Sequence, residues 1–351
     1  MIDFRYHLVS IVAVFLALAI GIVLGSTELQ GPTYNLLNQT TAKLQNELDQ
    51  ASSQRDAARQ QAGLGESYAQ AVQPVVLHDL LAGQRLLIVT EPGAPASVVT
   101  AISNAATRDA GATVTGQIAL QPKFFDNSDT TLVSLNQTNL AMAQADNIVL
   151  NTGTTYQQQA AQVLAAEILT KAPATQQASA QPNTSPSAGQ QDTNGQTMLS
   201  AYANEGFLTT SGQPSARATL AVIVTPQTAP AGGSADPLDG MLVPVAEELA
   251  ANSSAAVAAG VSANSGPGSQ IAVLRASSAA GKVSTVDDAD FVAGQSVVIQ
   301  ALAAELDGAA PGSYGIAGGA SAVAPSLAPT AGASASPTAS ASSTGQKKTR
   351  K

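Results

Sequence analysis

"GQRLLIVT", residues 83–90, is a polar turn followed by a short apolar run. A continuous apolar run of this length is typical of a strand that is buried on both faces of a sheet. A helical pattern follows at 95–109, and a second strand pattern occupies 113–120. This unit predicts two parallel strands joined by a crossover helix.

The same alternation continues along the chain. Strands are predicted at 147–150, 220–224, 255–261 and 283–287, helices at 132–143, 156–170, 241–251 and 291–306, and an ordered segment at 197–207. This order predicts an α/β fold, Rossmann-like or flavodoxin-like, with helices on both faces of a mainly parallel sheet. Residues 173–196 are almost all small or polar, and we expect a disordered low-complexity insertion there.

The N-terminal sequence predicts a membrane anchor. Twenty residues, 8–27, carry no charge, and a helix of this length spans roughly 30 Å, the thickness of the hydrocarbon core of a bilayer. The segment is apolar on all sides, unlike a core helix. A cleaved signal peptide usually has about 7–15 apolar residues and a small-x-small cleavage site, which 24–28 matches poorly. We therefore expect an uncleaved transmembrane helix.

Flanking charges favour one orientation of this helix. Arg5 and the terminal amine precede it, and the first basic residue after it is Lys43. This weak asymmetry predicts a cytoplasmic N-terminus in the cell membrane, with the C-terminal domain extracytoplasmic. Gly21 and Gly25 have the G-x-x-x-G spacing at which two membrane helices approach closely, although a chain with 29 glycines reaches that spacing easily by chance.

A polar helical pattern covers about residues 34–73 and should end at Pro74. Two interleaved sets of residues recur every seven positions, as along the seam of a coiled coil: Leu37, Leu44, Ala51 and Ala58, with Thr41, Leu48, Arg55 and Ala62. The threonine and the arginine make this seam weak. We expect a stalk that forms a homodimeric coiled coil; a solvent-exposed helix without a partner is the alternative.

These patterns divide the chain into successive segments. We predict a cytoplasmic stub at 1–7, a transmembrane helix at 8–27, a coiled-coil stalk at 28–73, an α/β domain at 74–312 with the insertion at 173–196, and a disordered tail at 313–351. The tail is rich in Ala, Ser, Pro and Thr and ends in a basic cluster at 347–351. We read the cluster as solvated, with contact to an anionic polymer or lipid headgroup as the alternative.

The composition excludes several classes of function. No cysteine is present, so the chain has neither disulfides nor thiolate chemistry. The net charge of −9 argues against nucleic acid as a partner, because phosphate binding needs a basic face. The nucleotide motifs G-x-G-x-x-G and G-x-x-x-x-G-K-[ST] and the hydrolase motif G-x-S-x-G are also missing. The prolines of the loop 91–95 remove amide donors that a phosphate site would use. We expect neither enzyme activity nor a cofactor.

Histidine and methionine offer little to a catalytic or copper site. His7 lies at the membrane edge, and His78, beside Asp79, is expected to be a solvated helix-end histidine. Copper(I) favours thiolate and thioether ligands, then imidazole. No M-x-x-M, H-x-H or C-x-x-C motif occurs, and the methionines are isolated: Met1, Met142, Met198 and Met241.

One acidic cluster, "DDAD" at 287–290, follows the last predicted long strand. Carboxylates at the C-terminal end of a parallel strand could bind a hard cation, so Asp287, Asp288 and Asp290 are weak metal candidates. They also precede a helix, where Asp290 could be the N-cap and the other two would favour the positive end of the helix dipole. We favour the capping role.

The anchor sequence "FRYHLVSIVAVFLALAIGIVLGS", residues 4–26, resembles the N-terminus of the actinobacterial MctB family, described as mycobacterial copper transport proteins. Further landmarks follow in the family order: "GQRLLIVT" at 83–90, "AGATVTGQIAL" at 110–120, "VSTVDDAD" at 283–290 with Gly294 and Gln295, and "SYG" at 313–315. The resemblance covers about residues 4–315, apart from the insertion.

This resemblance implies an envelope protein of copper efflux or homeostasis, and copper is a partner on this ground alone. It assigns no metal ligands. The outer-membrane pore proposed for mycobacterial members is not supported by the residues, because a membrane β-barrel needs repeated alternating segments of about ten residues. The corynebacterial SteB proteins, associated with cell separation and cell-wall hydrolysis, imply the alternative: a non-enzymatic scaffold or regulator of cell-wall remodelling with an envelope protein as its partner.

Overall fold

The computed structural model describes residues 4–28, 30–171, 191–228 and 242–326. The chain forms two compact units, Met1–Ser67 and Tyr68–Lys351. Most of the predicted insertion, the basic end of the tail and the first residues of the predicted stub lie outside the described residues.

Two helices make up the N-terminal part of the chain: α1, Phe4–Glu28, and α2, Gln30–Leu77. Within the described residues, Tyr6–Gly25 is the segment long and apolar enough to cross a bilayer, as predicted for 8–27. In α2, the seam residues Leu37 and Leu44 are 63% and 59% exposed in the single chain. The coiled coil therefore stays a prediction.

The expected end of the stalk helix at Pro74 is wrong, since α2 continues to Leu77. Proline removes one intrahelical hydrogen bond, but tertiary contacts hold the last turn. Leu77 is completely buried in the core of the α/β domain, and Gln73 Nε2 donates to Ser296 Oγ at 3.2 Å. The last turns of α2 therefore belong to the second unit, which begins at Tyr68.

A seven-stranded sheet forms the centre of the second unit. Its strands are β1 (Arg85–Thr90), β2 (Thr113–Leu120), β3 (Leu208–Gly212), β4 (Leu220–Val224), β5 (Ala255–Ala259), β6 (Ser284–Val286) and β7 (Ser313–Tyr314). The order is β3-β2-β1-β4-β5-β6-β7, and every neighbouring pair is parallel except β2 and β3. The order reverses between β1 and β4, as in doubly wound Rossmann folds, which confirms the predicted class.

Helices cover both faces of this sheet. They are α3 (Ala96–Asn104, continued by a π-helical turn at Ala105–Asp109), α4 (Asp129–Ala145), α5 (Tyr156–Ile168), α6 (Thr193–Asn204), α7 (Leu242–Asn252), α8 (Gln270–Ala276) and α9 (Val292–Leu306). Alternate residues of β1 enter two separate cores: Leu87 and Val89 contact the layer of α4–α8, whereas Leu86 and Ile88 contact α3, α9 and the end of α2. This alternation explains why the strand is apolar at successive positions.

The predicted strand at 147–150 is not formed. A side-chain amide replaces the neighbouring strand there: Gln162 Nε2 donates to Val149 O at 2.8 Å, and Asn151 N donates to Gln162 Oε1 at 3.1 Å. The segment is therefore held against α5 instead of extending the sheet.

Two predicted boundaries of disorder are also wrong. Helix α6 begins at Thr193, inside the predicted insertion, because Asp192 caps it by accepting a hydrogen bond from Asn194 N at 3.0 Å. Residues 313–326, predicted as tail, belong to the domain, since β7 pairs with β6 and Tyr314 forms a further bridge with Ala322.

Candidate functional site

The acidic cluster lies at the carboxyl end of β6, before α9. Asp287 is completely buried and forms an ion pair with Arg275, with 2.8 Å between Oδ2 and Nη1. Arg275 projects from α8 and also donates to Thr285 Oγ1 at 2.9 Å and to Tyr314 O at 2.7 Å. The guanidinium therefore ties α8, β6 and β7 together.

The second oxygen of Asp287 binds the loop after β7. Its Oδ1 accepts hydrogen bonds from Ile316 N at 2.8 Å and Ala317 N at 3.2 Å. Gly315 has φ +124°, and a Cβ at this position would collide with Asp287 Oδ1. Only glycine fits this approach.

Asp288 lies against the first turn of α9. It is 5% exposed, and its Oδ1 has no hydrogen-bond partner within the described ranges. Burial, followed by the negative charge of Asp287, raises the pKa of Asp288 to about 6. Gly294 permits this packing, because a Cβ there would collide with Asp288 O.

Asp290 does not cap α9, contrary to expectation. The N-cap residue is Phe291, which makes no side-chain capping bond. Asp290 instead accepts hydrogen bonds from the backbone N (2.7 Å) and the Oγ (2.5 Å) of Ser262. It therefore fastens the turn after β5 to the start of α9.

These contacts leave few carboxylate oxygens free to bind a cation. Both oxygens of Asp287 and of Asp290 are engaged by protein donors, so Asp288 is the member of the cluster that keeps a free oxygen within the described ranges. In the part of the chain that the structure describes, no three His, Cys, Asp or Glu residues are grouped as metal ligands. The geometry supports a structural role for the cluster.

A second buried charge cluster, which sequence reasoning missed, surrounds Arg217 between β3 and β4. Its Nη2 lies 2.8 Å from Glu167 Oε2 and 2.7 Å from Asp192 Oδ2, and its Nε lies 3.0 Å from the same oxygen of Asp192. All three residues are buried. Arg217 thereby joins the end of α5 to the start of α6.

The two carboxyls of this cluster differ in pKa. Burial raises the pKa of Glu167 to about 7 and outweighs the opposing charge of Arg217, and Asp146 and Asp192 raise it further. Burial also acts to raise the pKa of Asp192, but hydrogen bonds and the charge of Arg217 lower it below its usual value. Of the two carboxyls, Glu167 therefore keeps its proton to the higher pH, and Asp192 ionises first as the pH rises.

The crevice at the strand-order reversal is where Rossmann folds bind nucleotides. Here the two loops bond to each other: Gln227 N donates to Gly93 O at 3.1 Å, and Asn264 Nδ2 donates to Pro226 O at 3.1 Å. Glu91, directly after β1, is buried. These contacts occupy the described part of the crevice where a phosphate would have to bind.

The family model described as "Copper transport outer membrane protein, MctB" matches residues 1–325. The chain belongs to the MctB family. It is 31% identical to the copper transporter MctB of Mycobacterium tuberculosis (strain ATCC 25618 / H37Rv) over 338 residues, covering 92% of this chain and 99% of the relative. The copper transporter MctB of Mycobacterium leprae (strain TN) is 28% identical over 332 residues, with the same coverage of both chains.

The MctB landmarks of the C-terminal half meet at one place in the fold. The "VSTVDDAD" segment supplies Asp287, Asp288 and Asp290, and the "SYG" segment supplies Gly315, which packs on Asp287. Gln295, after Gly294, donates through Nε2 to Ala289 O at 3.2 Å. These segments are separated in the sequence but lie together in the fold, because β6, β7 and α9 pack around the buried carboxylates.

The remaining candidate ligands of this MctB family member are a histidine and the methionines. His78 is 76% exposed, with its Nδ1 3.3 Å from Asp79 Oδ2, so it is a surface histidine as expected. Met198 is completely buried in the core, and Met142 packs against that core. Met1 and Met241 lie outside the described residues. Gly21 and Gly25 have open space where a Cβ would lie, and their role in helix pairing stays a prediction.

Proposed function

We propose that this protein serves copper homeostasis as a single-pass membrane protein whose α/β domain acts by contact with other envelope proteins. The observation that carries the proposal is the match of residues 1–325 to the MctB family, whose curated relatives are named copper transporters. The apolar helix α1 supports membrane anchoring.

The site chemistry favours an indirect role in copper movement. Of the described methionines, Met198 is buried in the core and Met142 packs against it, and Asp287 and Asp290 are committed to internal hydrogen bonds. Copper(I) transfer needs accessible soft ligands. One membrane helix per chain also cannot enclose a path for an ion. Copper would therefore pass through an oligomer or a partner transporter, and the domain would not act as an enzyme.

A deletion strain tests this function. Total cell copper, measured by elemental mass spectrometry under copper challenge, should rise in the deletion strain and return to the parental level on complementation. Unchanged copper combined with failed cell separation would support the second candidate, a scaffold of cell-wall remodelling. That candidate is favoured by one observation: the buried carboxylates serve the fold instead of a ligand.

Homodimerisation through α2 can be tested directly, because the chain has no cysteine. Leu44→Cys places a single thiol on the proposed seam, and Asn46→Cys, two positions further along, is the matched control on the opposite side of α2. In membranes under mild oxidation, Leu44→Cys should yield a disulfide-linked dimer. Equal cross-linking of both variants would contradict the seam.

The proposed orientation places the α/β domain outside the cytoplasm. A reporter active only outside the cytoplasm should be fused after residue 326, because residues 313–326 belong to the folded domain. Activity of a cytoplasm-specific reporter at the same position would reverse the orientation.

A further inference from the structure

Isolated backbone bridges join the ends of α5 and α6 to the segment between β3 and β4. Leu169, directly after α5, forms a bridge with Ala218, and Gln191, just before α6, forms one with Ala216. Thr170 N also donates to Ala218 O at 2.9 Å. Neither bridge belongs to one of the seven strands, so this attachment should open at a lower cost in free energy than the central sheet.

Arg217 lies between the two bridged alanines and holds both helix ends through its side chain. Its Nη2 donates to Glu167 Oε2, in the last turn of α5, at 2.8 Å. The same nitrogen donates to Asp192 Oδ2, at the N-cap of α6, at 2.7 Å. We call Glu167, Asp192 and Arg217 the charge clasp, because these three side chains close the contact that the bridges begin.

The single cation of the charge clasp faces more carboxyls than it can neutralise. Glu167 and Asp192 meet at one guanidinium nitrogen, and all three side chains are buried. Asp146, the C-cap residue of α4, is a further carboxyl whose charge acts on Glu167. Within the described ranges, Arg217, Asp146 and Asp192 are the charged groups that act on Glu167. Ionisation of both clasp carboxyls therefore leaves one excess negative charge away from water, which is unfavourable.

The proton that relieves this excess charge is held by Glu167. Burial raises the pKa of Glu167 to about 7 against the charge of Arg217, whereas the pKa of Asp192 is lowered. A group with a raised pKa stabilises the closed form at acidic pH, and this contribution is lost as the pH rises through the raised value. The charge clasp therefore loses its proton between acidic and slightly alkaline pH.

We propose that the charge clasp is a pH-sensitive switch, which holds the ends of α5 and α6 on the segment between β3 and β4 while Glu167 is protonated and releases them when Glu167 ionises. Opening of the isolated bridges exposes the carboxylate to water. The strand pairs of the central sheet do not include these bridges, so the opening is local. This switch goes beyond the proposed copper role and does not depend on it.

Hydrogen exchange of the full chain in lipid nanodiscs tests the switch. Exchange at pH 5, 6, 7 and 8 is followed by mass spectrometry and normalised to the chemical exchange rate at each pH. In peptides that contain Thr170 and Asp192, protection should fall by up to roughly 70-fold between pH 5 and pH 8, as expected when the pKa of Glu167 is about 7 in the closed form and 4.5 in the open form. At pH 8 these peptides should exchange faster than peptides of β1, which report on global unfolding.

Three variants separate the switch from a general effect of pH. Glu167→Gln has no proton to lose, so its protection at these positions should change by less than about threefold over the same range. Asp146→Asn removes a charge that raises the pKa of Glu167, so the midpoint of opening should move to lower pH. Glu205→Gln changes an exposed carboxyl and is the control, which should keep the parental profile. Thermal unfolding of each variant checks that the fold is retained.

Three results would overturn the proposal. The parent and Glu167→Gln could lose the same protection between pH 5 and pH 8, or the midpoint could stay in place in Asp146→Asn. The peptides that contain Thr170 and Asp192 could also exchange no faster than those of β1 at pH 8, which would show that Glu167 acts on global stability alone.

Discussion

Replacing Glu167 by Gln should remove part of the pH dependence of stability. The folded protein holds the proton of Glu167 up to a pKa of about 7, whereas the ordinary pKa of a glutamate side chain is 4.5. Because the folded state binds this proton more tightly, the stabilisation is present below pH 4.5 and is lost as the pH rises through 7. Between pH 5 and pH 8 this group should therefore remove about 2–3 kcal/mol from the free energy of unfolding.

Glutamine resembles the protonated carboxyl in shape and remains uncharged at every pH. Glu167→Gln should thus be close to the parent in stability at pH 5 and more stable than the parent at pH 8 by about 2–3 kcal/mol. Asp192 adds little in this range, because its lowered pKa acts at more acidic pH. Other buried acids with raised pKa values, such as Asp288, change the stability of the parent and of the variant with pH in the same way. The difference in stability between the two proteins therefore reports on Glu167.

The assay is urea unfolding of the full chain in detergent at pH 5, 6, 7 and 8, followed by circular dichroism. Glu205→Gln, a change of an exposed carboxyl in the same domain, is the control and should keep the parental pH profile. An equal pH slope in the parent and in Glu167→Gln would refute the reasoning, as would a difference that grows towards acidic pH.

Two further predictions concern the acidic cluster. Gly315→Ala should destabilise the domain by about 2–4 kcal/mol in thermal unfolding, because a Cβ would meet Asp287 Oδ1 and the φ of this residue is +124°. Gly318→Ala is the control: Gly318 has open space around it, so this change should alter stability by less than about 1 kcal/mol. Arg275→Met should cost about 3–5 kcal/mol by leaving Asp287 buried without its cation, and the double variant with Asp287→Asn should recover part of this loss; no recovery would contradict the ion pair as the cause.

The local sequence pattern was sufficient to predict a strand where that strand is buried. The apolar runs at 86–90 and 220–224 are both β-strands, because strands covered on both faces are apolar at successive positions. The pattern at 113–120 coincides with β2. Edge strands lack this signal. Four of the five residues of β3 are exposed, and β7 has two residues, so neither has a recognisable pattern.

Long-range contacts explain the errors at the sites. The apolar residues at 147–150 resemble a strand, but Gln162 occupies the position of a strand partner. Arg217 contacts residues that are 25 and 50 positions away, and one of them lay in the segment predicted as disordered. In the same way, Asp290 binds Ser262 instead of the helix that follows it in sequence. Spacing along the chain carries no information about such pairs.

The proposed indirect role in copper movement is tested most directly by titrating the purified full chain with copper(I), buffered by a competing chelator. Because we propose that copper passes through an oligomer or a partner transporter, the single protein should show no binding tighter than about 1 µM. Sub-micromolar binding of one copper(I) per chain, reduced by Met142→Leu or His78→Ala, would contradict it and would place a copper site within the protein itself.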